Sequence, residues 1–457
     1  MSAVATLAGF IHDTGFADLP PAVVKKTLDH TLDTLGAALA GALAVEPRQA
    51  LQIMDSGGDV PVWGTGLRLG ARDAALINGI AAHALELDDS GGCDHSGAVV
   101  LPAALAALSR SERPVSGAEL VTAIALGYDV GRRVLEACGG YAAHNGAGWH
   151  STATCGVFGA AATAARLLGL DAAETAAALG HAASFSGGLW NFIHDSAQTK
   201  RLHAGRAAEG GLLAALIARR GITGSAQVFG DVWGGFLKTI APTTAEPEAL
   251  VAGLGDPWKI MRCSIKPYAS CRGTHSTVDA VSALLDERNA GEADVIAVHV
   301  RSSAFLMNMC GGRDLGTLAS AQMSLPYAVA VRLVHGSAGI DAYRAECRLD
   351  GRIAPMLGRI TLETDPNQAD LDDPHVAIRF ADGSTASRQA SIALGAPANP
   401  ISDRDLQAKY RTLAEMAMPA AQAQALAEAV LALDRCADAR TLLPLLAGDA
   451  ERRAILC

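Results

Sequence analysis

The chain has 457 residues, of which 50% are hydrophobic, 4% aromatic and 18% charged, with a formal net charge of -10 and a sequence pI near 5.7. That acidity argues against a nucleic-acid or anionic-membrane surface, and no apolar run reaches the roughly 20 uninterrupted residues of a membrane span. The length predicts about two or three domains. Abundant alanine and leucine with few aromatics predict closely packed helices rather than sandwiches or barrels.

The N-terminus has no basic segment and carries Asp13 and Asp18, which predicts neither a secretory nor a transit peptide. Val23, Val24, Leu28, Leu32, Leu35, Ala38 and Leu39 recur at the helical period and predict a helix over 21–44, with Pro21 tolerated in its first turn. After glycine-rich turns at 57–66, Asp73 is expected to open a helix leading into the stretch NGIAAHALELDDSGGCDH, 78–95. Further helices are expected at 98–111, 116–137, 151–168, 172–187 and 201–220, punctuated by glycine or proline.

Beyond residue 255 the texture changes. An irregular segment with Pro257 and Pro267 precedes a helix at 274–288, a helical stretch at 318–334, period-2 runs at 295–300 and 375–380, and a strand at 385–393. This predicts a mainly α fold: a helical domain built from 1–255 and 396–457, and an α+β lid domain over 256–395. Nine scattered cysteines, 93 to 457, form no C-x-x-C pair and predict reduced thiols in a cytoplasmic protein.

Five stretches could carry chemistry. In 78–95, His83, Glu86, Asp88, Asp89, Ser90 and His95 crowd together. Helical spacing would put His83, Glu86 and Ser90 on one face, and the Gly91-Gly92 break lets His95 fold back. Such a cluster is either a charged helix end or a site. In GWHSTATCG (148–156), capping by Ser151 or Thr152 would set His150 at the positive end of a helix, a place that binds carboxylates and lowers an imidazole's pKa. An incidental histidine in a capping loop is the alternative.

With only seven lysines in the chain, Lys200, Arg201, His203 and Arg206 in 196–211 make a scarce positive density. A lone lysine is otherwise an ordinary surface group. IKPYASCRGTHSTVDA (265–280) sets Lys266, Tyr268, Arg272 and His275 at the domain junction, where Arg272 could clamp a carboxylate or form an interdomain salt bridge. Tyr327, in SAQMSLPYAVA, reads by itself as a core tyrosine. His83-x-x-Glu86 is a weak metal signal, no phosphate-binding glycine loop follows a strand, and nothing demands a cofactor.

In this order the segments NGIAAHALELDDS, GWHSTATCG, TKRLHAG, KPYASCRGTH and AQMSLPY resemble the MmgE/PrpD family, which includes 2-methylcitrate dehydratase, cis-aconitate decarboxylase and iminodisuccinate epimerase. The resemblance extends over essentially the whole chain. It implies a large helical domain with a smaller α+β lid, an active site in the cleft between them, homodimers, and chemistry without cofactor or metal. It also implies site roles for Glu86, Ser90, His95, His150, Lys200, His275 and Tyr327. Where family members commonly read D-F-D-D-T, this chain has Glu86 and Ser90, and its loop before His95 is shorter than in several relatives.

The shared chemistry breaks a bond next to a carboxylate. In that frame His95 and His150 form the acid/base pair, Tyr327 assists proton transfer and Glu86 orients a histidine. Lys200 and Arg272 hold carboxylates, and Ser90, Asp89 and Lys266 are further expected substrate contacts. The expected activity is dehydratase-like, on a 2-methylcitrate-like di- or tricarboxylate. The alternatives are decarboxylation of a cis-aconitate-like substrate, epimerisation of an iminodisuccinate-like one, and a non-catalytic ligand-binding or scaffold homologue.

Overall fold

The computed structural model describes residues 2–55 and 57–448; the end of the tail expected to be helical, with Cys457, lies outside the described residues. Among the described residues no helix is long and apolar enough to cross a membrane.

Small residues let the helices of the first half pack backbone to backbone. The helix Ala71–His83 crosses the helix Thr199–Ala218 at Gly79 and Gly205, where a Cβ on Gly79 would lie 2.7 Å from the Gly205 Cα. This contact is what brings the ends of those two helices, and hence Glu86 and Lys200, into reach of each other. The helices Ser96–Leu108, Gly117–Ala137 and Gly156–Leu168 pack around them in one core, which the tail helices Asp403–Ala414 and Ala420–Leu431 also join through Leu406, Tyr410, Leu426 and Val430.

A second core is built on a four-stranded sheet ordered Ile360–Thr364, Val295–Ser302, His375–Phe380, Thr385–Gln389. The first pair is parallel, with Val298 opposite Ile360, and the others are antiparallel. The helices His275–Asp286 and Leu325–His335 cover it. Ala84, Leu85 and Leu87 also belong to this second core, whereas Ala74 to Ala82 belong to the first. The stretch 78–95 therefore passes from one core to the other.

Several expected elements differ in detail. The helix expected over 151–168 is interrupted at Cys155, after the single turn Ser151–Thr154. The helical stretch 318–334 is two helices, because Ser324 caps a new one through the Tyr327 N–H and Pro326 sits in its first turn. The strand Ile360–Thr364 was not anticipated: it is a short edge strand whose outer residues are exposed, so its hydrophobic alternation is weak.

Candidate active site

The helix Ala71–His83 ends at His83 rather than carrying Glu86 on its face. Glu86 lies in the left-handed region, φ 52°, as does Asp94, φ 112°. Side chains rarely adopt such backbone without a cost of about 1–3 kcal/mol, offset by the surrounding structure. Here the turn aims the Glu86 carboxylate back into the protein, where it meets four basic groups. Its Oε1 accepts from Lys200 Nζ at 2.5 Å and Arg201 at 2.6 Å, and its Oε2 from Lys266 Nζ at 3.1 Å; His83 Nε2 is 3.7 Å away. Burial alone would raise its pKa, but Lys200 and Lys266 outweigh burial and hold it well below the usual carboxylate range. Glu86 in turn raises Lys266 against its burial, and Asp88 adds to it.

The Gly91-Gly92 turn, with Gly91 at φ 95°, returns His95 to His83 as expected, and the two rings lie 4.1 Å apart. Asp88 binds both: His83 Nδ1 donates to it at 3.1 Å, and His95 Nδ1 lies 3.0 Å from its Oδ2. His95 Nε2 faces Asp94 at 3.5 Å. The two imidazoles consequently titrate in opposite directions. Burial dominates at His83 and pushes it down to about 3, whereas at His95 the carboxylates of Asp94 and Asp88 overcome burial and raise it.

His150 is itself the cap residue of its short helix, and neither Ser151 nor Thr152 caps it. Its Nδ1 is 2.9 Å from His203 Nδ1, and its Nε2 is 3.8 Å from Asp94 with no hydrogen-bond partner among the described residues. Burial, then the charges of His203 and Lys200, hold it well below 6.5, so it is neutral. His83, His95 and His150 each bring a ring nitrogen within 4.8 Å of the others. They are the described residues that could reach a common metal ion, and no step proposed below uses one.

A cavity of about 380 Å³ opens beside this cluster, lined by Glu86, Ser90, Asp94, His95, Lys200 and Arg272, with Phe305, Leu306 and Met309 from the second core's side. Trp190 lies under Lys200, whose ammonium is 5.6 Å from the ring centroid. Ser90 is fixed by a two-way backbone bridge to Ser264.

Five expected contacts lie elsewhere, His150 among them, fully buried and off the cavity wall. Asp89 is buried and structural: it binds His30 Nδ1 at 3.0 Å and the Gly97 N–H at 2.9 Å. Lys266 is fully buried behind Glu86. His275 accepts from Arg272 at Nδ1 and donates to the Ser270 carbonyl from Nε2, so it positions Arg272 rather than lining the cavity. Tyr327 is in the second core, its hydroxyl donating to the Ala342 carbonyl at 2.6 Å and its ring against Tyr343. We therefore expect Tyr327→Phe to lose about 1 kcal/mol of stability and keep its turnover; a loss of activity beyond about tenfold, more than such a hydrogen bond carries, would place the hydroxyl in the chemistry.

The AQMSLPY stretch instead reaches the site through residues that were not singled out. Gln322 accepts from Arg201 at 2.7 Å and donates to the Leu85 carbonyl at 2.7 Å, and Met323 Sδ is 3.8 Å from Lys200. Cys271 was also missed. It lines the cavity, and contact with the Cys310 thiol, opposed by burial and aided by Lys200, holds its own thiol below the usual value. Nothing in the sequence around these residues separates them from ordinary core positions.

A buried carboxylate ringed by cations, beside an imidazole of raised pKa on the wall of one cavity, is the toolkit of acid–base chemistry on small organic anions. The chain belongs to the MmgE/PrpD family: residues 5–248 match its N-terminal domain and 268–435 its C-terminal domain. It is 31% identical to a cis-aconitate decarboxylase of Aspergillus terreus over 94% of this chain and 92% of that protein. It is 28% identical to a cis-aconitate decarboxylase-like protein of Aspergillus oryzae, over 97% of both. The human cis-aconitate decarboxylase is 27% identical over 97% of this chain and 94% of its own. These relationships support a lyase-type function.

Proposed function

We propose that the protein is a carboxy-lyase acting on a small tricarboxylate of the cis-aconitate type. The observation that carries this is His95, an imidazole raised in pKa between Asp94 and Asp88 on the wall of a cavity that also holds Lys200. The decarboxylase relatives move the reading from the dehydration expected of the sequence to this alternative.

In such a substrate one carboxylate sits on a carbon next to the double bond. Its C–C bond breaks and CO2 leaves. The bonding pair becomes a new double bond, while the pair of the old one takes a proton at the far alkene carbon. One proton is consumed and nothing is oxidised or reduced. His95 supplies that proton from the cavity wall and takes its replacement from solvent. Lys200 stabilises charge that develops on a retained carboxylate. Phe305, Leu306 and Met309 give the departing carboxylate a poorly solvated wall, which favours its loss as neutral CO2.

His95 also suits dehydration, which needs a donor at the leaving hydroxyl. Incubating the protein with cis-aconitate, 2-methylcitrate, citrate and iminodisuccinate in D2O, followed by NMR, separates these readings. We expect CO2 and one solvent deuteron in the product from cis-aconitate. An unsaturated product from 2-methylcitrate without CO2 marks a dehydratase, and deuterium exchange without net conversion an epimerase. No turnover of any of the four marks a non-catalytic homologue.

A further inference from the structure

A tricarboxylate needs cations with donors to spare, and most basic groups at this cavity have spent theirs. Arg201 is committed to Glu86 and Gln322, and Lys266 is buried behind Glu86, so Lys200, with one of its three donors on Glu86, is left for a single substrate carboxylate. Arg272 donates to the Leu394 and Ala393 carbonyls and to His275, and has Asp279 and Asp373 as nearby counter-charges. Two other cations line the cavity, Arg132 from the helix Gly117–Ala137 and Arg262 from the turn Lys259–Arg262.

Both lean on a single acid. Glu136 Oε1 accepts from Arg132 Nε at 2.9 Å and from Arg262 at 3.2 Å, and its Oε2 pairs with Lys259 at 2.7 Å. One carboxylate thus faces three cations. Arg132 is only 7% exposed, and its remaining contact is a long 3.4 Å bond to the Gly92 carbonyl. The pair adjoins the Ser90–Gly92 turn, since the Arg262 carbonyl packs against Gly91. Burial and then Arg132 lower the pKa of Arg262, a sign that the two guanidinium groups press on each other. Two forked donors held together in a cavity wall by a shared acid leave a positive surplus matched in shape and sign by a carboxylate.

We propose that Arg132 and Arg262 form a second carboxylate subsite of the cavity, which engages a substrate carboxylate away from the Glu86 cluster and selects tricarboxylates over dicarboxylates. The inference rests on reading the cavity as a polycarboxylate site, and is independent of which bond the enzyme breaks.

Calorimetric titration of the full chain with propane-1,2,3-tricarboxylate and with glutarate, which lacks the middle carboxylate, tests it without turnover. The wild type is expected to bind the tricarboxylate at least about tenfold more tightly, the worth of one charged hydrogen bond. Arg262→Gln, whose side chain is 49% exposed and so is safe for folding, is expected to erase most of that preference by weakening the tricarboxylate alone. Arg132→Lys, which keeps the charge but not the fork, is expected to do so in part. An unchanged ratio of the two affinities in Arg262→Gln overturns the subsite, as does an equal loss of both. Binding of neither anion by the wild type overturns the polycarboxylate reading beneath it.

Discussion

Replacing His95 by glutamine is expected to lower turnover of the tricarboxylate by about 10²–10⁴-fold, the usual worth of a positioned general acid. The side chain is nearly buried, and its two nitrogens face Asp89 and Asp88 on one side and Asp94 on the other. Glutamine can replace part of that hydrogen bonding but cannot deliver a proton. Affinity for the unreactive propane-1,2,3-tricarboxylate should change little, because the carboxylate-binding cations are untouched. Steady-state kinetics and calorimetry on the same preparation check both halves. Turnover within about tenfold of wild type, well short of a general acid's share, would remove His95 from the proposed step.

Glu86→Ala should cost about 3–5 kcal/mol of folding stability, because it strands buried cations without their counter-charge. Lys200, Arg201 and Lys266 are each 3% exposed or less, and all three lean on this carboxylate. Since Arg201 also holds Gln322, and Gln322 the Leu85 carbonyl, the loss should loosen the junction between the two cores as well. Glu86→Asp keeps the charge but is one methylene shorter, and is expected to fall between the two. Urea unfolding of the three proteins gives the order. A loss below about 1 kcal/mol in Glu86→Ala, the range of an exposed ion pair, would mean that the cations find other partners and that the cluster does not hold the site together.

Each of the five sequence stretches does reach the site or its support, but several do so through different residues from those expected. In 320–330 the contacts come from Gln322 and Met323, while Tyr327 turns into the second core. In 265–280 Lys266 braces Glu86 from behind, Arg272 and Cys271 line the cavity, and His275 backs Arg272. In 78–95 the spacing of His83 and Glu86 suggested one helix face. They do end 3.7 Å apart, but through a left-handed turn after the helix has stopped. Periodicity identifies which residues share a face only while the helix lasts.

Local chemistry was legible in the sequence because it depends on near neighbours. The helical period and the glycine turn that returns His95 both act within a few residues. The concentration of imidazole and carboxylate in 78–95, and the scarcity of lysine, marked where a site could be. Which carboxylate meets which cation was decided only by the tertiary structure. The contacts of Glu86 with Lys200 and Lys266 and of Leu85 with Gln322 join positions 114, 180 and 237 residues apart. Their protonation follows from burial and from those distant charges together. His83 and His95 show this most directly: two histidines of one short stretch, 4.1 Å apart, are driven in opposite directions by their surroundings.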